Sequence, residues 1–143
     1  MVSIQETEIL LVEDNTEDLE LTLRALREHR LANRIEVARD GAEALAFFKA
    51  NGNQLPKVVL LDLKLPKVSG IEVLEAIRAD ERTRALPVVV LTSSREEPDI
   101  QRCYDLGVNS YIVKPVDFDA FVKAVAEVGL YWLLLNQPPA LRT

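Results

Sequence analysis

Short apolar runs alternate with longer amphipathic segments along the whole chain. Five runs have the length of buried strands: Ile9–Val12, Arg34–Ala38, Val58–Leu61, Pro87–Leu91 and Ser110–Val113. Helix start signals follow each of them, at Asn15 or Thr16, Asp40, Ser69, Pro98 and Asp117. Strict alternation of strands and helices predicts an α/β fold, in which right-handed crossovers build a five-stranded parallel sheet with helices on both faces.

The length of 143 residues favours one domain over 1–143, with a core at about 7–130 and a C-terminal helix extension and tail at 129–143. The net charge of −6 argues against binding nucleic acid through bulk charge. Cys103 is the single cysteine, so the chain forms no internal disulfide, and we expect it to be a small apolar residue of the fourth helix.

Neither end of the chain indicates export or membrane insertion. Met1–Glu8 is polar and acidic, unlike a signal peptide. The longest apolar run, Leu130–Leu135, is far too short to span a bilayer. We therefore expect a soluble cytoplasmic protein that does not bind membranes.

Residues able to do chemistry follow four of the predicted strands. They are Glu13 and Asp14 after the first, Asp62 after the third, Thr92 after the fourth and Lys114 after the fifth. The carboxyl ends of parallel strands meet at one edge of the sheet, where open α/β sheets bind ligands. We therefore expect these side chains to converge.

Asp62 is the centre of this set and can serve as a metal ligand or as a nucleophile. It cannot cap the next helix, because Pro66 and Ser69-Gly70 delay that helix. Three crowded carboxylates repel one another, and a hard divalent cation such as Mg²⁺ relieves the repulsion. Lys114 and the Thr92 hydroxyl could then hold the oxygens of a phosphoryl group.

These residues, with Tyr111 and Pro115, resemble the signature of two-component response-regulator receiver domains. Four segments look most like the single-domain regulators that partner phytochrome histidine kinases: VEDN, LLDLKLPKVSG, VVVLTSS and YIVKPVDFDAF. The resemblance implies a flavodoxin-like, doubly wound sheet with strand order 2-1-3-4-5. It also implies a phosphoacceptor protein rather than an enzyme with multiple turnover.

The resemblance further implies how the metal and phosphate are held. Asp62 accepts the phosphoryl group from a histidine kinase, and Lys114 contacts that group. Asp14 binds Mg²⁺ directly, Glu13 acts mainly through a water, and the backbone carbonyl of Lys64 completes the metal site.

The same resemblance implies a switch and a partner surface. Thr92 and Tyr111 would change conformation on phosphorylation, altering the surface of the fourth helix, fifth strand and fifth helix. The Lys114–Pro115 bond would be cis. Leu130–Leu135 is apolar on every face, so it either folds over the core or forms a homodimer interface.

Two other functions share parts of this pattern. A phosphatase or phosphotransferase of the haloacid-dehalogenase type also uses an Asp after an apolar strand, but it needs a second Asp where this chain has Lys64. A flavin binder of the same fold needs a hydroxyl- and glycine-rich loop after the first strand, where Glu13 and Asp14 would repel the flavin phosphate.

Other charged residues suggest no chemistry. His29, the only histidine, lies at the end of the predicted first helix, and we expect a surface or helix-end role because no acid-base partner can be named for it. The resemblance implies that the phosphodonor histidine belongs to the partner kinase. Arg78, Arg82 and Arg84 alternate with acidic residues and predict a solvated face. No Walker-type glycine-rich loop is found, which argues against direct ATP binding.

Overall fold

Strands and helices alternate in the computed structural model, which describes residues 7–28, 34–52, 54–114 and 117–132. The strands are β1 (Ile9–Val12), β2 (Ile35–Ala38), β3 (Val58–Leu61), β4 (Val88–Thr92) and β5 (Ser110–Val113). The helices are α1 (Thr16–Glu28), α2 (Gly41–Asn51), α3 (Gly70–Ala79), α4 (Glu97–Asp105) and α5 (Phe118–Leu130).

The five strands form one parallel sheet in the order β2-β1-β3-β4-β5, which confirms the predicted fold and strand order. In the centre, Leu61 of β3 is in register with Val12 of β1 and Val90 of β4. Thr92 is the last residue of β4, paired with Val113, rather than the first residue after the strand as predicted. The register brings the carboxyl ends of β1, β3 and β4 side by side.

Each central strand is buried on both faces, which explains its continuous apolar sequence. Val59 and Leu61 of β3 belong to a core shared with α2, α3 and α4. Val58 and Leu60 belong to a second core, shared with α1 and α5. The side chains of consecutive strand residues point to opposite faces, so one run of four apolar residues supplies both cores.

Capping hydrogen bonds confirm the predicted starts of α1, α2, α3 and α5, whereas α4 begins near Pro98 without a side-chain cap. The Asn15 side chain accepts from the Asp18 N–H at 2.9 Å, and the Asp40 side chain accepts from the Glu43 N–H at 2.8 Å. Ser69 and Glu72 form the predicted capping box at α3. These caps supply acceptors for amide groups that have no partner within their helix.

The prediction of a solvated face is wrong for Arg78. Its side chain crosses from α3 to two loops and donates to four carbonyl oxygens at 2.7–3.0 Å, those of Arg84, Leu86, Leu106 and Gly107. Burial lowers the pKa of this guanidinium. Arg82 also makes a hydrogen bond within the fold, donating to the Phe48 carbonyl at 2.7 Å, whereas Arg84 is exposed as expected.

Two residues of the apolar C-terminal segment, Tyr131 and Trp132, differ in burial. Trp132 packs against the core shared by α1 and α5, while Tyr131 is 49% exposed. Their rings meet edge to face with centroids 4.9 Å apart. The predictions for Leu133–Leu135, for His29 and for the Lys114–Pro115 bond concern residues outside the described ranges.

Two further expectations concern the burial of Cys103 and the absence of a membrane-spanning helix. Cys103 is fully buried on α4, as predicted. Among the helices of the described ranges, none combines the length and the apolar character needed to cross a membrane.

Gly70, the first residue of α3, packs directly beneath Asp62. A Cβ atom there would lie 2.2 Å from the Asp62 carbonyl oxygen and 2.5 Å from Leu63 Cα. We expect Gly70→Ala to lower the free energy of unfolding by about 3 kcal/mol in urea denaturation. Gly52→Ala is the control, because Gly52 has open space around it and a positive φ of 57°, and should cost about 1 kcal/mol. Equal losses would contradict close packing beneath the site.

Candidate functional site

The ammonium group of Lys114 connects the acidic residues at the edge of the sheet. Its Nζ atom donates to Glu13 Oε1 at 2.5 Å, to Asp18 Oδ2 at 2.8 Å and to Asp62 Oδ2 at 3.2 Å. Glu13, Asp62 and Lys114 are therefore brought together as predicted, although they are far apart in sequence. Asp18 is not among the residues that the sequence predicted to converge here.

Backbone hydrogen bonds continue the sheet pairing to the residues that carry these side chains. The Glu13 N–H donates to the Ala38 carbonyl at 3.0 Å, and the Asp62 N–H donates to the Val12 carbonyl at 3.0 Å. The Lys114 N–H donates to the Thr92 carbonyl at 2.8 Å. The first residue after β1, β3 and β5 is thus hydrogen-bonded to the neighbouring strand, which preorganises the site.

Glu13, Asp14 and Asp62 form a group of carboxylates that fits a divalent cation. They each offer an oxygen, and these oxygens lie within 4.8 Å of one another. Glu13 and Asp62 are buried, whereas Asp14 is exposed, so the group opens to solvent on one side. Carboxylate oxygens are ligands that hard cations such as Mg²⁺ prefer. Metal binding by the Lys64 carbonyl stays a prediction. The Lys64 N–H donates to Asp62 Oδ1 at 3.4 Å.

Crowding shifts two pKa values in the site. Burial raises the pKa of Glu13, the hydrogen bond from Lys114 lowers it, and Asp62 raises it again, leaving it at about 7. Burial alone would lower the pKa of Lys114, but Asp18, Glu13 and Asp62 together raise it above its ordinary value. Lys114 is therefore charged at neutral pH, while Glu13 holds a proton for part of the time.

Thr92 and Tyr111 both form hydrogen bonds with Ser94, in the loop that follows β4. Thr92 is fully buried, and its hydroxyl oxygen accepts from the Ser94 N–H at 3.3 Å. The Tyr111 hydroxyl donates to the Ser94 carbonyl at 3.0 Å, while the ring packs on the core beside α4. The Ser94 hydroxyl donates to Asp99 Oδ2 at 2.6 Å and so connects this loop to α4.

Sequence reasoning missed the contact between Asp18 and Lys114. Asp18 lies in the first turn of α1, four residues before Thr22 and seven before Ala25, which are both buried, so helix geometry places it on the side of the helix that faces the sheet. That spacing was the available signal. It was weak, because an acid in a first helical turn already has an ordinary explanation.

The family model for the response regulator receiver domain matches residues 9–126, which is most of the chain. The chain belongs to the response regulator receiver family. This family consists of phosphoacceptor proteins of two-component signalling, so the predicted resemblance is confirmed. The match gives no support to the haloacid-dehalogenase alternative.

Curated relatives extend over nearly the full chain. The probable methanogenesis regulatory protein FilR2 of Methanothrix harundinacea is 47% identical over 134 residues, covering 92% of this chain and 86% of its own. The response regulator Rcp1 of Synechocystis is 37% identical over 136 residues, covering 92% of both chains.

Solved structures with the same fold include regulators of phytochrome systems. The phosphorylated cyanobacterial phytochrome response regulator RcpA is 38% identical, with a TM-score of 0.87 over 95% of this chain and 100% of its own. The bacteriophytochrome response regulator AtBRR is 53% identical, with a TM-score of 0.69 over 94% and 100%. The Mn²⁺-bound form of Rcp1 is 36% identical, with a TM-score of 0.86 over 94% and 99%.

The raised pKa of Glu13 gives the receiver a distinctive pH dependence. The pKa of Glu13 is about 7 in the folded protein, whereas in an unfolded chain it has its ordinary value of 4.5. The folded state therefore binds more protons in this window, and without divalent metal its free energy of unfolding should fall as pH rises from 4.5 to 7.

Urea denaturation at several pH values tests this prediction. Glu13→Gln removes the titrating group, so its free energy of unfolding should fall less across the same window. Parallel pH curves for the two proteins would show that Glu13 does not titrate there.

Proposed function

We propose that Asp62 is the phosphoacceptor of this receiver and takes its phosphoryl group from the phosphohistidine of a sensor histidine kinase. The observation that carries this assignment is the contact of Lys114 Nζ with Asp62 Oδ2 at 3.2 Å. A carboxylate oxygen beside a buried ammonium is placed so that the phosphoryl oxygens it acquires are met by a fixed positive charge.

In the proposed transfer, an Asp62 carboxylate oxygen attacks phosphorus. The new O–P bond forms as the N–P bond to the imidazole breaks, and the leaving nitrogen keeps the electron pair and takes a proton from water. Lys114 donates an N–H to a phosphoryl oxygen, and the Thr92 hydroxyl supplies a second donor. Positioning and charge stabilisation then supply most of the catalysis, as in other phosphoryl transfers.

Glu13, Asp14 and Asp62, with the Lys64 carbonyl, would hold Mg²⁺. The close carboxylate oxygens and the raised pKa of Glu13 support this assignment, because a bound cation would favour the charged form of Glu13. When bound, the ion neutralises part of the negative charge of the phosphoryl group and the carboxylates.

Repeated hydrolytic turnover is not part of the proposal. A phosphatase of the aspartate-nucleophile type needs a carboxyl group two residues after the nucleophile, as general acid and base. Lys64 stands there and offers no such group. The chain therefore catalyses its own phosphorylation and dephosphorylation only.

The output of the switch would reach the surface through Tyr111. Phosphorylation would draw the Thr92 hydroxyl toward the phosphoryl oxygens and so alter the loop that Tyr111 contacts through Ser94. The phosphate then favours the conformation in which it makes more contacts, and the surface of α4, β5 and α5 changes with it.

The proposed partner is a phytochrome-type histidine kinase, because RcpA and AtBRR are regulators of phytochrome systems. Such a kinase draws its phosphoryl group from ATP, which places the proposed exchange in the cytoplasm. The chain would act over 1–143 as a single receiver domain. Its net charge of −6 supports output through protein partners rather than through direct contact with nucleic acid.

Phosphorylation at Asp62 can be tested by mass spectrometry after incubation with acetyl phosphate and Mg²⁺. We expect the wild-type protein to gain the mass of one phosphoryl group and Asp62→Asn to gain none, because an amide oxygen is a poor nucleophile. Asp119→Asn, at an exposed position of α5, is the matched control and should be labelled like the wild type. Labelling of Asp62→Asn would refute the assignment.

The half-exposed Tyr131 supports a homodimer formed through the C-terminal face of α5. Apolar residues continue after it to Leu135, and a second copy of the chain could cover them. We expect Tyr131→Arg to shift sedimentation toward the monomer. Tyr104→Arg, on α4 and exposed by 53%, is the matched control and should leave the oligomeric state unchanged. Dissociation by the control alone would place the interface on α4.

A further inference from the structure

Lys114 has a third acidic partner, Asp18, that the receiver signature does not include. An ammonium group has three N–H donors, and three carboxylates accept from this one. Asp18 Oδ2 lies at 2.8 Å, closer than Asp62 Oδ2 at 3.2 Å. The Lys114 side chain is only 9% exposed, so these contacts largely determine where its charge lies.

Asp18 differs from the other two partners in what it can do. Glu13 and Asp62 both belong to the group of close carboxylate oxygens that would hold a cation, whereas Asp18 does not. Asp62 would also become the site of the phosphoryl group. Asp18 is therefore the partner of Lys114 that neither the metal nor the phosphoryl group would engage.

The backbone of Asp18 is well fixed. Its N–H donates to Asn15 Oδ1 at 2.9 Å, and its carbonyl oxygen accepts from the Thr22 hydroxyl at 2.8 Å. It lies in the first turn of α1, where the helix dipole favours a carboxylate. Its side chain is 30% exposed, so a change there does not open a cavity in the core.

We propose that Asp18 is a positioning residue, which holds the Lys114 ammonium against the phosphoacceptor by accepting one of its hydrogen bonds. This inference rests on the proposed function, because it concerns the rate at which Asp62 takes up a phosphoryl group. With one N–H bound to Asp18, the ammonium keeps its place while another N–H moves to a phosphoryl oxygen. Without Asp18 the flexible lysine side chain loses that constraint.

The test is the rate of phosphorylation by acetyl phosphate at saturating Mg²⁺, followed by mass spectrometry. We expect Asp18→Ala to slow the reaction by about tenfold, the size expected for loss of a charge-assisted hydrogen bond. Asp18→Asn keeps an oxygen that can accept from Nζ, and its rate should stay within about twofold of wild type. Glu17→Ala is the matched control, because Glu17 is an exposed acid of the same helical turn.

Two further measurements separate positioning from a general loss of structure. Mg²⁺ affinity should change little in Asp18→Ala, since Asp18 is not among the close carboxylates, and thermal unfolding should match that of Glu17→Ala. The ¹⁵Nζ signal of Lys114 in NMR spectra should show faster hydrogen exchange in Asp18→Ala than in Asp18→Asn.

Three results would overturn the inference while leaving the proposed function intact. The rate could be unchanged in Asp18→Ala, equally slow in Asp18→Ala and Asp18→Asn, or faster in both because Asp18 competes with the phosphoryl group for Lys114. If the wild-type protein takes up no phosphoryl group, the proposed function fails and the inference fails with it.

Discussion

The arrangement of the site depends on one buried positive charge. Lys114 follows the edge strand β5, yet its ammonium reaches carboxylates that follow β1 and β3 and one that belongs to α1. A buried lysine is costly unless paired, and so is a cluster of buried acids. The lysine and the acids therefore stabilise one another in the folded protein. Their contacts connect the carboxyl ends of β1, β3 and β5.

Much of this structure could be predicted from local sequence. Runs such as Val58–Leu61 are apolar without interruption because central parallel strands are buried on both faces. Capping residues such as Asp40 and Ser69 mark the helix starts, because few other side chains satisfy free amide groups. Strand order and residue roles came from resemblance to a family, since periodicity alone does not fix them.

The sequence could not predict long-range contacts of residues whose presence is already explained by their local position. Arg78 looks like part of a solvated charged face, and its four carbonyl acceptors belong to loops whose paths are set by tertiary packing. Asp18 looks like a favourable charge near a helix start, and its ion pair with Lys114 depends on the packing of α1 against α5. In both cases the partner is distant in sequence and the residue type is common on surfaces.

Helix α4 is attached differently at its two ends. Near its last turn, Arg78 holds the carbonyls of Leu106 and Gly107, and Arg102 forms an ion pair with Glu75 at 2.6 Å. Near its first turn, Asp99 accepts from the hydroxyl of Ser94, in the loop that Tyr111 also contacts. A shift of that loop would therefore rotate α4 about its anchored C-terminal end, and the exposed N-terminal end of the helix would move furthest.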